Sequence, residues 1–481
     1  MKGMKRIPQE ESEDNKKALC DNKNADNSFT KLIFYFIILN IFIFIILANT
    51  DLLKLAKNDL NTESKNQVKI AFYCESLAFG EVEKLTSLLI NYLSKESIFD
   101  IYLFLNKDSQ KEYLINSTIH RINIQFYSPQ ILRRLLIGYK IEFFIYQLNN
   151  IKDIKVLKNL NETNDITTLF INYSGFLYWI YNNDYHFFSN LYNTYKESNY
   201  LVSFIPFEND IILKKWEINS IYMNFLLPFD YNSTQQLDLS SKTILMIGKG
   251  SDKMKRLDLG IKAMKYIIKE IPDSKMKIVT DLNGRENLKI LIKELNLENN
   301  IIFEEYYSSN EIYFNNISLH LLPSIAEGTG LDICETKFFG IPNVLVGLDY
   351  LPCSKGGVSI IYDDSPESIA LECIKILNDE KYRKSLGNEA RESMKNFDNK
   401  IIADKWMRLI LSAYLDEAYF NRIKEEGNEL INSKEEKKIL NNQIKLLKMR
   451  LEEMKNVNLN EITNFSFMKQ IYKLKSWKFF F

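Results

Sequence analysis

Along the chain the pattern of apolar and polar positions changes character several times. Residues 1–31 are polar and mixed in charge, show no apolar periodicity, and read as a disordered tail. Leu32 to Ala48 is then apolar throughout except Asn40, long enough to cross a thin bilayer as a helix, for which about 17 to 25 residues are needed. The polar tail before it and a charged stem over 49–67 leave nothing to bury it in a soluble core. No small-x-small cleavage site follows. The pattern predicts one signal-anchor helix and a single-pass membrane protein, of ER or Golgi type if the chain is eukaryotic. Lys16, Lys17, Lys23 and Lys31 stand against Lys54, Lys57 and Lys65, so the charge balance across the helix leaves its orientation open.

From Val68 the pattern turns globular. Val68–Cys74 reads as a buried strand, then comes a loop through Gly80, an amphipathic helix from Glu81 to Ser94 and a strand at Ile101–Leu105. That is the opening βαβ of a doubly wound sheet. Ile122–Tyr127, Glu142–Gln147, Thr168–Asn172 and Tyr200–Phe204 supply further strands, and the economical arrangement is all-parallel. A turn-rich stretch, 229–241, separates this first α/β domain (68–228) from a second over 242–396. The second holds strands at Thr243–Ile247, Met276–Thr280, Ile301–Phe303, Ile317–Leu322 and Asn343–Val346, with helices from Arg256, Arg285, Leu331, Ser365 and Glu380. A last helix, Ile401–Tyr414, occupies 397–415 with Trp406 on its apolar face.

The remaining 416–481 is a helical tail. Leu440, Ile444, Leu447, Leu451 and Met454 follow the 4-3 spacing of a short coiled coil, which offers self-association through 440–454. An amphipathic helix packed on its own chain reads equally well, because two heptads dimerise poorly alone.

Composition narrows this picture. A chain of 481 residues exceeds one ordinary core. Its formal net charge of zero gives no electrostatic reason to bind nucleic acid. Cys20, Cys74, Cys334, Cys353 and Cys373 are scattered, without metal-ligand or disulfide-framework spacing, and read as core or helix thiols.

Candidate chemistry concentrates in Leu321–Gly347. A strand ends at Pro323-Ser324, a loop carries Glu327, Gly328, Thr329 and Gly330, and a helix starts at Leu331 and stops at Gly340. Backbone N–H groups at such a helix start attract anions. Glu327 and Glu335, eight positions apart, bring carboxylates to the strand-end crevice where open α/β sheets bind ligands. Upstream, Gly248-Lys249 ends a strand and Lys255 precedes the next helix, so two cations can converge on a diphosphate, with Arg256 as a possible substitute. No Asp-x-Asp pair follows a strand in a position to hold a divalent metal, so none is expected.

The string Pro-Ser-x-x-Glu327-Gly-x-Gly-Leu, with Glu335 and Gly340-Ile-Pro342, resembles the Glu-x7-Glu signature of glycosyltransferase family 4, the retaining GT-B glycosyltransferases. Gly248-Lys249 with Lys255, and Phe79 to Leu89, resemble that family's phosphate-binding and first-loop segments. The resemblance spans roughly 68–415 and implies two Rossmann-like domains facing a cleft, with the acceptor side on the first and the donor side on the second. The last helix would cross back to the first domain. It implies retaining, metal-independent transfer of a hexosyl group from a UDP- or GDP-sugar to a hydroxyl of a glycan or lipid-linked acceptor. No cofactor is implied. Lys249 and Lys255 would hold the diphosphate, Glu327 the sugar, Glu335 the ribose, and the amides of Gly328, Thr329, Gly330 and Leu331 the sugar and phosphate. Tyr306 would border the base, and Gly80, Glu81 and Tyr173 would face the donor and acceptor from the first domain. The chain departs from the family at Tyr173, where a His is usual, at Glu305, where Gly is usual, and at Thr329, where Phe is usual. These departures keep open a glycosyltransferase-like binding or scaffold protein; a GT-B nucleotide-sugar epimerase is a further alternative.

Overall fold

The computed structural model describes residues 67–78, 80–124, 128–147, 166–181, 195–232, 234–282, 284–305, 311–395, 397–415 and 438–446 other than 440 and 444. The apolar run 32–48 lies outside these residues; among those described, no helix is long and apolar enough to cross a membrane.

Two parallel sheets organise the chain. The first contains β1 (Val68–Cys74), β2 (Phe99–Leu105), β3 (His120–Asn123), β4 (Phe143–Tyr146), β5 (Thr167–Asn172), β6 (Tyr200–Ser203) and β7 (Ser220–Tyr222), in the order β3-β2-β1-β4-β5-β6-β7. Helices α1 (Glu81–Leu93), α2 (Pro129–Gly138), α3 (Gly175–Tyr181) and α4 (Pro206–Lys215) connect its strands. Arg134–Tyr139, from the end of α2, group apart from the compact unit that contains every other described residue. Leu85, Leu89 and Leu93 recur at helical spacing and give α1 its buried stripe.

The second sheet contains β8 (Thr243–Ile247), β9 (Lys275–Val279), β10 (Ile301–Glu304), β11 (Leu319–Leu322), β12 (Asn343–Val346) and β13 (Val358–Ile361), ordered β10-β9-β8-β11-β12-β13. Around it lie α5 (Leu257–Glu270), α6 (Arg285–Glu294), α7 (Glu311–Phe314), α8 (Leu331–Phe338), α9 (Pro366–Asn378) and α10 (Glu380–Ser393). β8, β11 and β12 are near-continuous apolar runs because helices cover both faces. Met246, Ile261, Met264, Leu321, Val344 and Ile369 are fully buried in one cluster, and each such side chain contributes about 1.5–3 kcal/mol. Strand order reverses between β8 and β11. A crevice outside the carboxyl ends of the strands opens at such a switch point.

Helix α11 (Asn399–Leu415) returns to the first sheet's side. Its Trp406 indole donates to the Asn224 carbonyl at 2.9 Å and its ring lies against Phe204.

The stretch read as a linker is stapled to the second domain. Arg383 donates from Nε to the Leu239 carbonyl at 2.8 Å, Arg391 donates to the carbonyls of Tyr231, Thr234 and Phe338, and Phe229 sits edge-on to Phe339. Within this turn-rich stretch the apolar Phe229 and Leu239 are buried.

Candidate active site

Three loops meet at the switch point: Gly248–Arg256 after β8, Pro323–Gly330 after β11, and Gly80 with the start of α1 after β1. Asp252 caps a 3-10 turn, Lys253–Lys255, by accepting from the Met254 amide at 2.9 Å, and Arg256 closes it in the left-handed region at φ 44°. The turn delivers Lys255 to the β11 loop. Its Nζ pairs with the Glu327 carboxylate at 2.6 Å, with the two side chains 18% and 5% exposed.

Glu327 is held by its backbone as well as its charge. The Tyr350 hydroxyl accepts from the Glu327 amide at 2.8 Å and donates to the Glu327 carbonyl, 2.9 Å away. Gly330, at φ 70°, turns the chain into α8, and Thr329 Oγ1 accepts from the Leu331 amide at 3.3 Å. The Thr329 hydroxyl also donates to the Glu81 carboxylate of α1.

Glu335, one turn into α8, forms a buried ion pair with Lys84 of α1. Lys84 was not among the residues singled out by sequence. Its sign is a lysine at 84 directly beside the apolar stripe 85, 89 and 93 of an amphipathic helix, but nothing local names a partner 251 positions away.

The site is rich in carboxyl groups. Burial raises the Glu81 and Glu327 carboxyls, and Lys255 pulls each partly back. Asp332 behaves alike. For Lys255 burial works against the charge, but Glu327, Asp332 and Glu81 around it more than offset that and raise its pKa well above the ordinary lysine value. Lys255 is therefore a firmly held cation. Beneath it His320 is fully buried, with Nδ1 donating to Asn343 Oδ1 at 2.5 Å and Nε2 4.0 Å from Asp332; burial lowers its pKa and keeps the ring neutral.

Of the other residues expected at the site, Lys249 is exposed, near enough to Glu83 to act on its charge. Arg256 is engaged structurally: Nε donates to the Pro323 carbonyl at 2.8 Å and a terminal nitrogen pairs with Asp364 at 2.6 Å. Tyr306 is outside the described residues. Tyr173 is buried against Phe204, its hydroxyl 3.3 Å from Thr86 Oγ1, and burial pushes its phenol far above the ordinary value. A neutral phenol so held does not exchange protons near neutral pH in the way an imidazole does.

Tyr173 contributes through its backbone instead. A Cβ on Gly328 would overlap the Tyr173 carbonyl, so glycine is required by close backbone approach. Gly328→Ala is expected to cost about 1–3 kcal/mol of stability through overpacking, read by urea unfolding, and to weaken nucleotide binding as the loop is displaced. A variant with wild-type stability and binding would contradict this contact.

The tail's coiled-coil positions Leu440, Ile444, Leu447, Leu451 and Met454 lie outside the described residues. The described part packs on its own chain, with Ile439, Gln443 and Leu446 buried.

Comparison with known proteins adds to this geometry. Residues 231–393 match the family model for glycosyl transferases group 1. A sucrose-phosphate synthase from Thermosynechococcus elongatus superposes with a TM-score of 0.58 at 16% identity, over 72% of this chain and 99% of its own. The chain has the GT-B fold. The Anabaena protein HepE, solved with UDP and glucose, shares this GT-B architecture at a TM-score of 0.56 and 13% identity, over 72% of this chain and 100% of that one. In sequence, an uncharacterized glycosyltransferase of Haemophilus influenzae is 25% identical over 218 residues, 44% of this chain and 60% of that protein. The chain thus spans less than two thirds of that relative's length.

Proposed function

We propose that this chain is a retaining, metal-independent glycosyltransferase of family 4 type, anchored by the helix over 32–48, that moves a hexosyl group from a UDP- or GDP-sugar to a hydroxyl of a glycan or lipid-linked acceptor. The observation that carries the reading is the Lys255–Glu327 pair, a retained cation beside a backbone-pinned carboxylate at the switch point of a GT-B second domain. The group 1 family match over the same domain supports it, as does the UDP and glucose in HepE.

In this reaction the bond from the sugar's anomeric carbon to the β-phosphate oxygen breaks, a bond to the acceptor oxygen forms on the same face, and the acceptor's proton passes to the released phosphate. Lys255, with Lys249 at the rim, would stabilise the charge that develops on the leaving diphosphate, the role that fixed cations and a helix start fill without a metal. Glu327 would hold sugar hydroxyls. Glu335 would hold the ribose, with Lys84 as its charge partner.

The test incubates purified full-length protein with UDP- and GDP-hexoses, with and without chelator, and reads product configuration by NMR. Chelator-insensitive turnover with retained configuration is expected. Nucleotide binding without turnover would instead favour a binding or scaffold protein, a second reading motivated by the buried phenol of Tyr173 where the family carries a His. Neither binding nor turnover would end the proposal.

A further inference from the structure

The donor-site loop is connected by hydrogen bonds to a segment that lies beyond the last helix of the fold. Gln443, 4% exposed, donates from Nε2 to the Gly347 carbonyl at 2.8 Å and to Asp349 Oδ1 at 2.9 Å, while its side-chain oxygen accepts from the Tyr181 hydroxyl at 3.1 Å. Asn442 donates to Asp349 Oδ2 at 2.7 Å and to the Tyr362 hydroxyl at 2.9 Å. Tyr362 donates to the same carboxylate oxygen at 3.0 Å. Leu446 is buried, and a Cβ on Gly347, at φ 67°, would meet its side chain.

Asp349 is the residue before Tyr350, and Tyr350 closes both backbone hydrogen bonds of Glu327. Both oxygens of Asp349 are thus fixed by the tail, and its neighbour fixes the carboxylate-bearing residue of the site. Tyr181 ends α3, whose Tyr178 has its phenol raised by burial first and by the charges of Asp252 and Glu327 after it, with Lys255 acting the other way.

We infer that Asn442 and Gln443 are positioning residues for the donor site, acting through Asp349 and Tyr350 to hold the Glu327 loop in register with Lys255. The inference rests on the function proposed above for its ligand only; the mechanical link stands on the hydrogen bonds. Side-chain hydrogen bonds to a charged group are stronger than neutral ones, and each buried partner removed leaves another unsatisfied.

Hydrogen exchange of the full-length, ligand-free protein tests the link. In Asn442→Ala/Gln443→Ala, amides of Ile325–Leu331 are expected to exchange about tenfold faster, with those of β8 unchanged. In a Tyr350→Phe background the same pair of substitutions should add little, since the connection is already cut. Binding of UDP and GDP, the probes used, should weaken about tenfold in the tail variant on the same scale. Unchanged exchange of the loop, equal increases in both backgrounds, or faster exchange throughout the protein would each overturn the inference. If the wild type takes neither nucleotide, exchange still decides the tail's role, and only the nucleotide-sugar reading falls.

Discussion

Lys255→Ala is expected to lower donor turnover by about 10²- to 10³-fold, the loss that follows removal of one fixed group from a developing negative charge. The effect is large because, among the described residues, no other cation pairs with Glu327 in this way. Arg256 is occupied by Pro323 and Asp364, and Lys249 is exposed at the rim. Removing the ammonium also leaves Glu327, Glu81 and Asp332 together with their nearest positive charge gone. Breaking a buried pair from one side costs about 3–5 kcal/mol, towards the lower end here because Lys255 keeps 18% of its side chain in solvent. Part of that cost disappears if a carboxyl takes a proton. Lys255→Arg keeps the charge but substitutes a planar fork for a point charge, so it should recover stability more fully than turnover. Steady-state kinetics with urea unfolding checks both, and a Lys255→Ala enzyme of wild-type kcat would exclude the phosphate role.

Lys84→Met is expected to destabilise the protein by about 3–5 kcal/mol, since methionine fills a similar volume but takes the Lys84 charge away from the buried Glu335 carboxylate. Both members are nearly inaccessible, 6% and 3% by side chain, so solvent offers no relief. The double variant Lys84→Met/Glu335→Leu should regain most of the loss, because an apolar pair of similar volume removes the buried carboxylate as well. Denaturant unfolding of the two variants decides the matter; equal stability of the single variant and the wild type would mean that the pair contributes nothing. Nucleotide binding should not return with stability in the double variant if Glu335 receives the ribose.

The parts of this architecture that were legible in sequence are those with strong local signals. Thr243–Ile247 and Asn343–Val346 are short apolar runs bounded by turn residues, and both are strands with those limits. Glu327, Gly328, Gly330 and Glu335 cluster because one strand-loop-helix unit carries them. β7 and β13 escaped notice for physical reasons: three residues at Ser220–Tyr222 show no periodicity, and Val358–Ile361 follows Gly356-Gly357, which reads as a turn. Lys84, Tyr350 and Gln443 were invisible because their roles depend on partners distant in the chain. Among the described tail residues burial includes Ile439, Gln443 and Leu446, and a polar Gln443 on a buried face gives no apolar signal of its own. Arg383 and Arg391 likewise convert a solvent-like linker into part of a domain through hydrogen bonds to carbonyls, and carbonyls leave no trace in a sequence.

The returning helix α11 has a consequence for how the protein is made. Phe204 and Asn224 are translated early, but Trp406, which covers them, follows Asn224 by 182 positions. At roughly 5–20 residues per second a ribosome needs about 9 to 36 s to cross that interval. Throughout that time the amino-terminal sheet, though fully synthesised, carries an uncovered apolar patch. Its maturation therefore waits for the carboxy-terminal sheet to be translated, and a nascent chain stalled before residue 406 would be a client for chaperones.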